Sequence, residues 1–226
     1  MIKLPTAFVW LGGAIFVFAL AYCVYSYAFP WGRTLPFHAS AMALDGVLFS
    51  LFALHHSLFA RDGIKDSLAR IVPEPLLRSA YVWLASALLI VVCAAWQPIG
   101  VDLYRHTGAL ALVHAALQLS GFLIIVQTVR LIDPLELAGI RRHSDANALQ
   151  IVGPYRWVRH PIYAGWMLLT FGAAHMTGDR LFFALISAVY LVIAMPFEER
   201  SLLKSFGGQY EEYRRIVPYR VVPYVY

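Results

Sequence analysis

The chain has 226 residues, of which 60% are hydrophobic and 14% charged, with a formal net charge of +5. A soluble domain of this size carries about 25% charged residues, so too few polar side chains are present to cover a water-facing surface. Disorder, a collagen-like repeat and a disulfide scaffold are excluded, and the two cysteines, Cys23 and Cys93, lie inside apolar runs as small core residues.

Taken in chain order, six apolar runs approach the roughly 20 residues a membrane-spanning helix needs. They are Ala7–Phe29, Ala39–Ala60, Ser79–Trp96, Gly108–Val129, Pro161–Met176 and Leu181–Phe197. The first is longer than the hydrophobic region of a secretory signal, about 7–15 residues, and reads as a retained helix. The fold expected is an all-α integral membrane protein with five to six transmembrane helices. Residues 1–226 then form a single membrane domain: four helices over 1–130, and over 131–226 a loop, a helical hairpin and a tail.

Basic residues set the orientation. Fifteen of the eighteen Lys and Arg fall on one side of these runs, leaving Arg33, Arg105 and Arg180 on the other. The positive-inside rule puts both termini and the longer loops in the cytoplasm. The same asymmetry, with contact to anionic membrane lipid, accounts for the basic composition without nucleic acid.

Polar residues inside spans are costly and mark candidate sites. Asp45, His55 and His56 lie in the second run, and His114, Gln118 and Gln127 in the fourth. Asp45 is close enough to the run's outer end to reach the interface. The histidines lack the helical spacing of a metal-binding cluster, and no metal is expected. A haem held by transmembrane histidines stays open as an alternative.

The densest chemistry lies in Gly153-Pro154-Tyr155-Arg156-Trp157-Val158-Arg159-His160-Pro161-Ile162-Tyr163-Ala164-Gly165. Pro161 suits the first turn of the following helix, which puts Arg159 and His160 at the helix entrance, where the dipole favours anions. The fifth and sixth runs are of similar length with a tight turn at Thr177–Arg180 between them. Arg159-His160 and Glu198-Glu199 should therefore lie side by side. Cations beside carboxylates, with Tyr155, Trp157 and Tyr163 nearby, suit a zwitterionic ligand with a flat ring or a sulfonium.

These residues resemble the signature of the isoprenylcysteine carboxyl methyltransferase and phospholipid methyltransferase superfamily. Its elements L-x-x-x-G-x-Y-x-x-x-R-H-P-x-Y-x-G, E-E-x-x-L, F-G and Y-x-x-Y occur in order. Here they are Leu149, Gly153, Tyr155, Arg159, His160, Pro161, Tyr163 and Gly165, then Glu198, Glu199 and Leu202, then Phe206, Gly207, Tyr210 and Tyr213. The resemblance implies S-adenosyl-L-methionine as methyl donor, in a cofactor pocket made by the C-terminal helical hairpin and the cytoplasmic tail of residues 131–226. It implies Tyr155, His160, Tyr163, Glu198 and Gly153 as cofactor-binding residues, and Arg159 and Glu199 beside the methyl transfer. Asn147 stands where prenylcysteine enzymes often carry His. In the N-terminal half, Leu54-His55-His56-Ser57, the stretch from Arg70 to Pro75 and Arg78-Ser79-Ala80-Tyr81 resemble methanethiol S-methyltransferases and NnrU-like proteins. The acceptor implied is a small or lipophilic nucleophile, with a thiol favoured. A thiol needs a nearby cation or base to ionise; His55, His56, His160 and Glu199 are the candidate bases, with His55 taken beside Arg159 and Glu199 as catalytic. The alternatives are a non-enzymatic NnrU-like or haem-binding protein and an NADPH-dependent sterol-reductase-like enzyme.

Overall fold

The computed structural model describes residues 4–58, 70, 73–141 and 149–226. Lys3, Arg61, Lys65, Arg142, His143 and Asn147, which entered the sequence reading, lie outside the described residues. The chain forms two compact units: Met1–Val101 with Pro134–Ser144, and Asp102–Asp133 with Asp145–Tyr226. Among the described residues five helices are long and apolar enough to cross a membrane, as an integral membrane protein requires.

The first unit holds α1 (Leu4–Ala28), α2 (Ala39–Leu58) and α3 (Glu74–Ala95). Helices α1 and α3 approach closely at Gly12, where an added Cβ would lie 2.8 Å from the Trp83 ring. Trp83 stacks on Phe8 and donates its indole N–H to the Phe8 carbonyl at 3.0 Å. At the other end Trp31 packs on Trp96, with ring centroids 4.6 Å apart. Asp45 is fully buried and accepts the backbone N–H of Gln97 at 2.9 Å. Its carboxylate thus caps the chain leaving α3 and does not reach out to the interface. Cys23 and Cys93 are free and buried, as their apolar setting predicted.

The second unit runs β1 (Asp102–Arg105), α4 (Gly108–Leu131), a 3-10 turn at Gly153–Arg156, α5 (Pro161–Phe171), β2 (His175–Thr177), α6 (Gly178–Phe206) and α7 (Gly208–Ile216). Strands β1 and β2 pair antiparallel, with Asp102 opposite Thr177 and Arg105 opposite His175. Pro161 begins α5 and His160 is its N-cap, as read from the sequence.

The hairpin differs from expectation. Helix α5 has 11 residues and ends at Phe171, not Met176. Helix α6 starts at Gly178 behind the Thr177 cap and continues past Phe197 to Phe206. Extended chain makes up the difference. Eleven helical residues rise about 16 Å, residues 172–177 add up to about 20 Å when extended, and Gly178 to Glu199 returns about 33 Å as helix. Arg159 and Glu199 therefore meet although the two helices are unequal.

A helix ending in the bilayer exposes carbonyls that must find partners. Two polar residues of α4 supply them. Gln118 donates to the Leu169 carbonyl at 3.0 Å, and His114 Nδ1 lies 3.1 Å from the Gly172 carbonyl. Their placement in an apolar helix is thus explained by capping α5. Between them α4 and α5 cross backbone to backbone. A Cβ on Gly121 would stand 2.5 Å from the Gly165 carbonyl, and one on Gly165 2.6 Å from the Gly121 carbonyl. Small residues permit such close approach in membranes, which gives motif residue Gly165 a packing role. Gly121→Leu must force these backbones apart. The expected cost is about 1–3 kcal/mol, read as a lower thermal midpoint of the detergent-solubilised protein.

Candidate active site

The candidate site is built where three segments of the second unit converge: the turn before α5, the C-terminal part of α6, and the tail after α7. Gly153 opens the turn at φ +59°, a left-handed conformation that glycine adopts without penalty. It starts a 3-10 turn with Pro154 buried. The turn leads directly to Arg159.

Arg159 and Glu199 form the centre. Their side chains are each 6% exposed, and Arg159 Nε donates to Glu199 Oε1 at 2.7 Å. The Arg159 guanidinium also donates to the carbonyls of Val217 at 2.9 Å and Pro218 at 2.6 Å. The backbone N–H groups of Arg159 and His160 donate to the carbonyls of Tyr219 and Arg220 at 3.0 and 2.8 Å. The tail is thus held against the helix entrance by a short ladder of hydrogen bonds.

Arg220 completes the centre, and the sequence reading did not include it. Its Nε and guanidinium NH2 lie 3.3 and 3.2 Å from Glu199 Oε2. The same side chain donates to the Tyr226 hydroxyl at 2.7 Å and covers the Tyr226 ring. Both Glu199 oxygens are therefore engaged by cations. The available signal was one basic residue between Pro218 and Pro223 in an otherwise apolar and aromatic tail.

Glu198, one residue along, faces outward and is 46% exposed. Tyr163 donates its hydroxyl to Glu198, and His160 Nδ1 lies 3.5 Å from the same carboxylate. The His160 and Tyr163 rings stack with centroids 5.3 Å apart. Tyr155 is half-buried near Glu198. Its phenol is pushed up to about 12 by burial, with Glu198's charge adding to the shift. Tyr155, His160, Tyr163 and Glu198 thus come together as the spacing predicted. Burial by itself would lower the His160 pKa, but hydrogen bonding and the charges of Glu198 and Glu199 hold it above its ordinary 6.5.

Helix α7 is the buttress. Gly207 joins it to α6 at φ +51° and ψ −126°, which only glycine adopts readily. Tyr210 and Tyr213 pack with Val217 against Leu149, Leu202, Leu203 and Phe206. Tyr213 donates to the Tyr155 carbonyl at 2.8 Å. The fully buried Tyr210 hydroxyl makes no hydrogen bond of good geometry among the described residues.

His55 lies in the first unit, on α2. Its ring stacks on Tyr81 at 5.7 Å, while the neighbouring His56 Nδ1 is 2.6 Å from the Tyr81 hydroxyl. Among the described residues no group of three His, Cys, Asp or Glu is placed to hold a metal ion.

Residues 108–209 match the family model for phospholipid methyltransferases, a span that takes in α4, the turn, the hairpin and both glutamates. Over nearly the whole chain there is a curated relative. A methanethiol S-methyltransferase of Crocosphaera subtropica is 32% identical over 98% of this chain and 94% of its own length. The chain belongs to the phospholipid methyltransferase superfamily, alongside the methanethiol S-methyltransferases. It is an integral membrane methyltransferase. Proteins of the same name from Bradyrhizobium diazoefficiens and Mycobacterium tuberculosis are 34% and 35% identical over 79% and 78% of this chain, and over 72% and 76% of their own. A mouse Delta(14)-sterol reductase is more distant, matching 42% of this chain and 24% of that enzyme. No solved structure matches the chain.

Two outcomes follow from this geometry. The His160 pKa is higher folded than unfolded, so its stabilisation is complete below about pH 6.5 and is lost as pH rises through the raised value. Thermal midpoints of the methyltransferase measured upward from pH 6.5 will fall more steeply than those of His160→Gln. Separately, Arg220→Ala removes a charged hydrogen-bond network worth about 1.5–3 kcal/mol. Limited proteolysis after Tyr219 should then speed up about tenfold or more.

Proposed function

We propose that the protein transfers a methyl group from S-adenosyl-L-methionine to a thiol, at the cytoplasmic face of a bacterial inner membrane. The observation that carries this reading is the convergence of Tyr155, His160 and Tyr163 on the exposed Glu198, beside the buried Arg159–Glu199 pair. The names of the similar proteins support a thiol acceptor. The side separation of basic residues supports the orientation: in the second unit Arg105 and Arg180 gather at the β1–β2 end, away from Arg159.

The residues fit such a donor. Glu198 is an exposed carboxylate with room for an ammonium, and His160 and Tyr163 hold it in place. Tyr155 and Tyr163 offer aromatic faces for a cation, and the Tyr210 hydroxyl has hydrogen-bonding capacity left over. In this reading those residues hold the donor, with Gly153 shaping their turn. When bound, S-adenosyl-L-methionine supplies an electrophilic methyl on a sulfonium.

The chain's own contribution is placement and charge. Methyl transfer demands an in-line approach with water excluded, and a turn, a hairpin and a tail pinned to one another supply rigidity. A thiol must become a thiolate before it reacts. In this reading the Arg159 guanidinium provides the cation that favours ionisation. Glu199 acts through its fixed charge rather than as a base, since both its oxygens accept from arginines. His55 is the candidate base.

Calorimetry on the detergent-solubilised protein should show micromolar binding of S-adenosyl-L-methionine or its demethylated product; absence of binding would sink this reading. Arg159→Ala and Glu199→Ala should abolish thiol methylation while the protein still inserts. His55→Ala should lower turnover at neutral pH by about 10²-fold, with partial recovery at alkaline pH, where the thiol ionises unaided.

A further inference from the structure

A half-open apolar cavity of about 400 Å³ lies on the second unit, beside the candidate site, with Trp157, Val222 and Leu117 at its exposed edges. Its walls are Leu117 and Ile124 of α4, Ala164 and Leu168 of α5, and Val221 and Val222 of the tail. It begins at Val158 and Pro161, which flank Arg159 and His160, and runs to Gly172 beyond the far end of α5. The length of α5 sets its span, about 16 Å.

These dimensions do not match a thiol of two heavy atoms. A cavity of about 150 Å³ already accepts benzene. They do not match a phospholipid either, which brings two chains and a headgroup. Nor do they suit the methyl donor, whose adenine and ribose need polar partners that this lining lacks.

Resting on the proposed thiol methylation, we propose that the cavity seats the apolar chain of the acceptor. The substrate class is then a thiol carrying an extended apolar group. Its sulfur lies at the Val158–Pro161 end and its chain runs along α5. The step forms a bond between the acceptor sulfur and the transferred carbon. It breaks the donor's carbon–sulfur bond, whose electron pair stays on the donor sulfur. The thiol proton goes to the base or to solvent, and the product is an apolar thioether. The tail walls the cavity through Val221 and Val222 and grips Glu199 through Arg220, so one segment serves both chain and site.

The test is kinetic, with a second readout that needs no turnover. For the intact protein, kcat/KM is measured with methanethiol, butanethiol, hexanethiol and octanethiol in one detergent. Each buried methylene should raise it roughly fourfold until the cavity is full. Ala164→Leu on α5 and Leu117→Trp on α4 narrow the cavity from opposite walls. Either should cut the hexanethiol-to-methanethiol ratio at least tenfold, an effect that partitioning into detergent cannot mimic. A hexyl thioether bearing a terminal diazirine should label peptides of α4, α5 or the tail, and excess octyl methyl sulfide should suppress the labelling.

A ratio unchanged in both variants, or labelling that octyl methyl sulfide does not suppress, overturns the proposal. So does weakened binding of S-adenosyl-L-methionine in the narrowed variants, which would assign the cavity to the donor. A tightly co-purifying lipid that the thioether cannot displace overturns it as well. Methanethiol methylation with a flat chain-length series defeats this inference and leaves the proposed function standing. Binding of the donor without methylation of any thiol defeats the thiol reading itself.

Discussion

A buried carboxylate must be answered by buried cations. Glu199 sits inside the second unit with Arg159 on one oxygen and Arg220 on the other. Removing one partner of such a pair leaves an uncompensated charge and typically costs 3–5 kcal/mol. That requirement links three distant stretches of chain. Arg159 stands at the entrance of α5, Glu199 stands two turns before the end of α6, and Arg220 lies in the tail. The Val217 and Pro218 carbonyls both accept from one terminal nitrogen of the Arg159 guanidinium. The packing of Tyr210 and Tyr213 brings those carbonyls within reach. The neighbouring Glu198 needs no such enclosure, and its exposed carboxylate is left for Tyr163, His160 and a ligand.

The membrane imposes the second constraint. Helix α5 stops short, and its last carbonyls cannot turn to water. Gln118 and His114 on α4 answer two of them, and the chain beyond runs extended to pair with β1. Polar residues in an apolar span invite a functional reading, and these two are accounted for by backbone chemistry. The close crossing at Gly121 and Gly165 allows α4 to deliver both side chains. Motif residues Gly165 and Gly207 are thereby explained by packing and by backbone geometry, respectively.

Much of the candidate site was legible in the sequence because its residues are local. Arg159, His160, Pro161 and Tyr163 lie within one turn of α5 or just before it, so a single helix entrance places them. Glu198 and Glu199 followed from hairpin arithmetic, although the lengths used for it were wrong. The shorter α5 is compensated by extended chain that no hydropathy pattern reveals. Arg220 was missed because an isolated arginine in a terminal segment looks like an interfacial charge until the fold aims it at Glu199. Asp45 was read as reaching the interface, but the turn after α3 closes over it and gives its carboxylate a backbone donor.

By itself the sequence determined the membrane class, the helical architecture, the family signature and the sidedness of its charges. These depend on composition, on hydrophobic run length and on residues adjacent in the chain. Only the tertiary structure decided which cations meet which carboxylates, which glutamate is enclosed and which is exposed, and that an apolar cavity runs alongside α5. Those outcomes depend on where separate segments cross. Crossing points are set by glycine contacts, carbonyl capping and the docking of a tail, which periodicity does not encode.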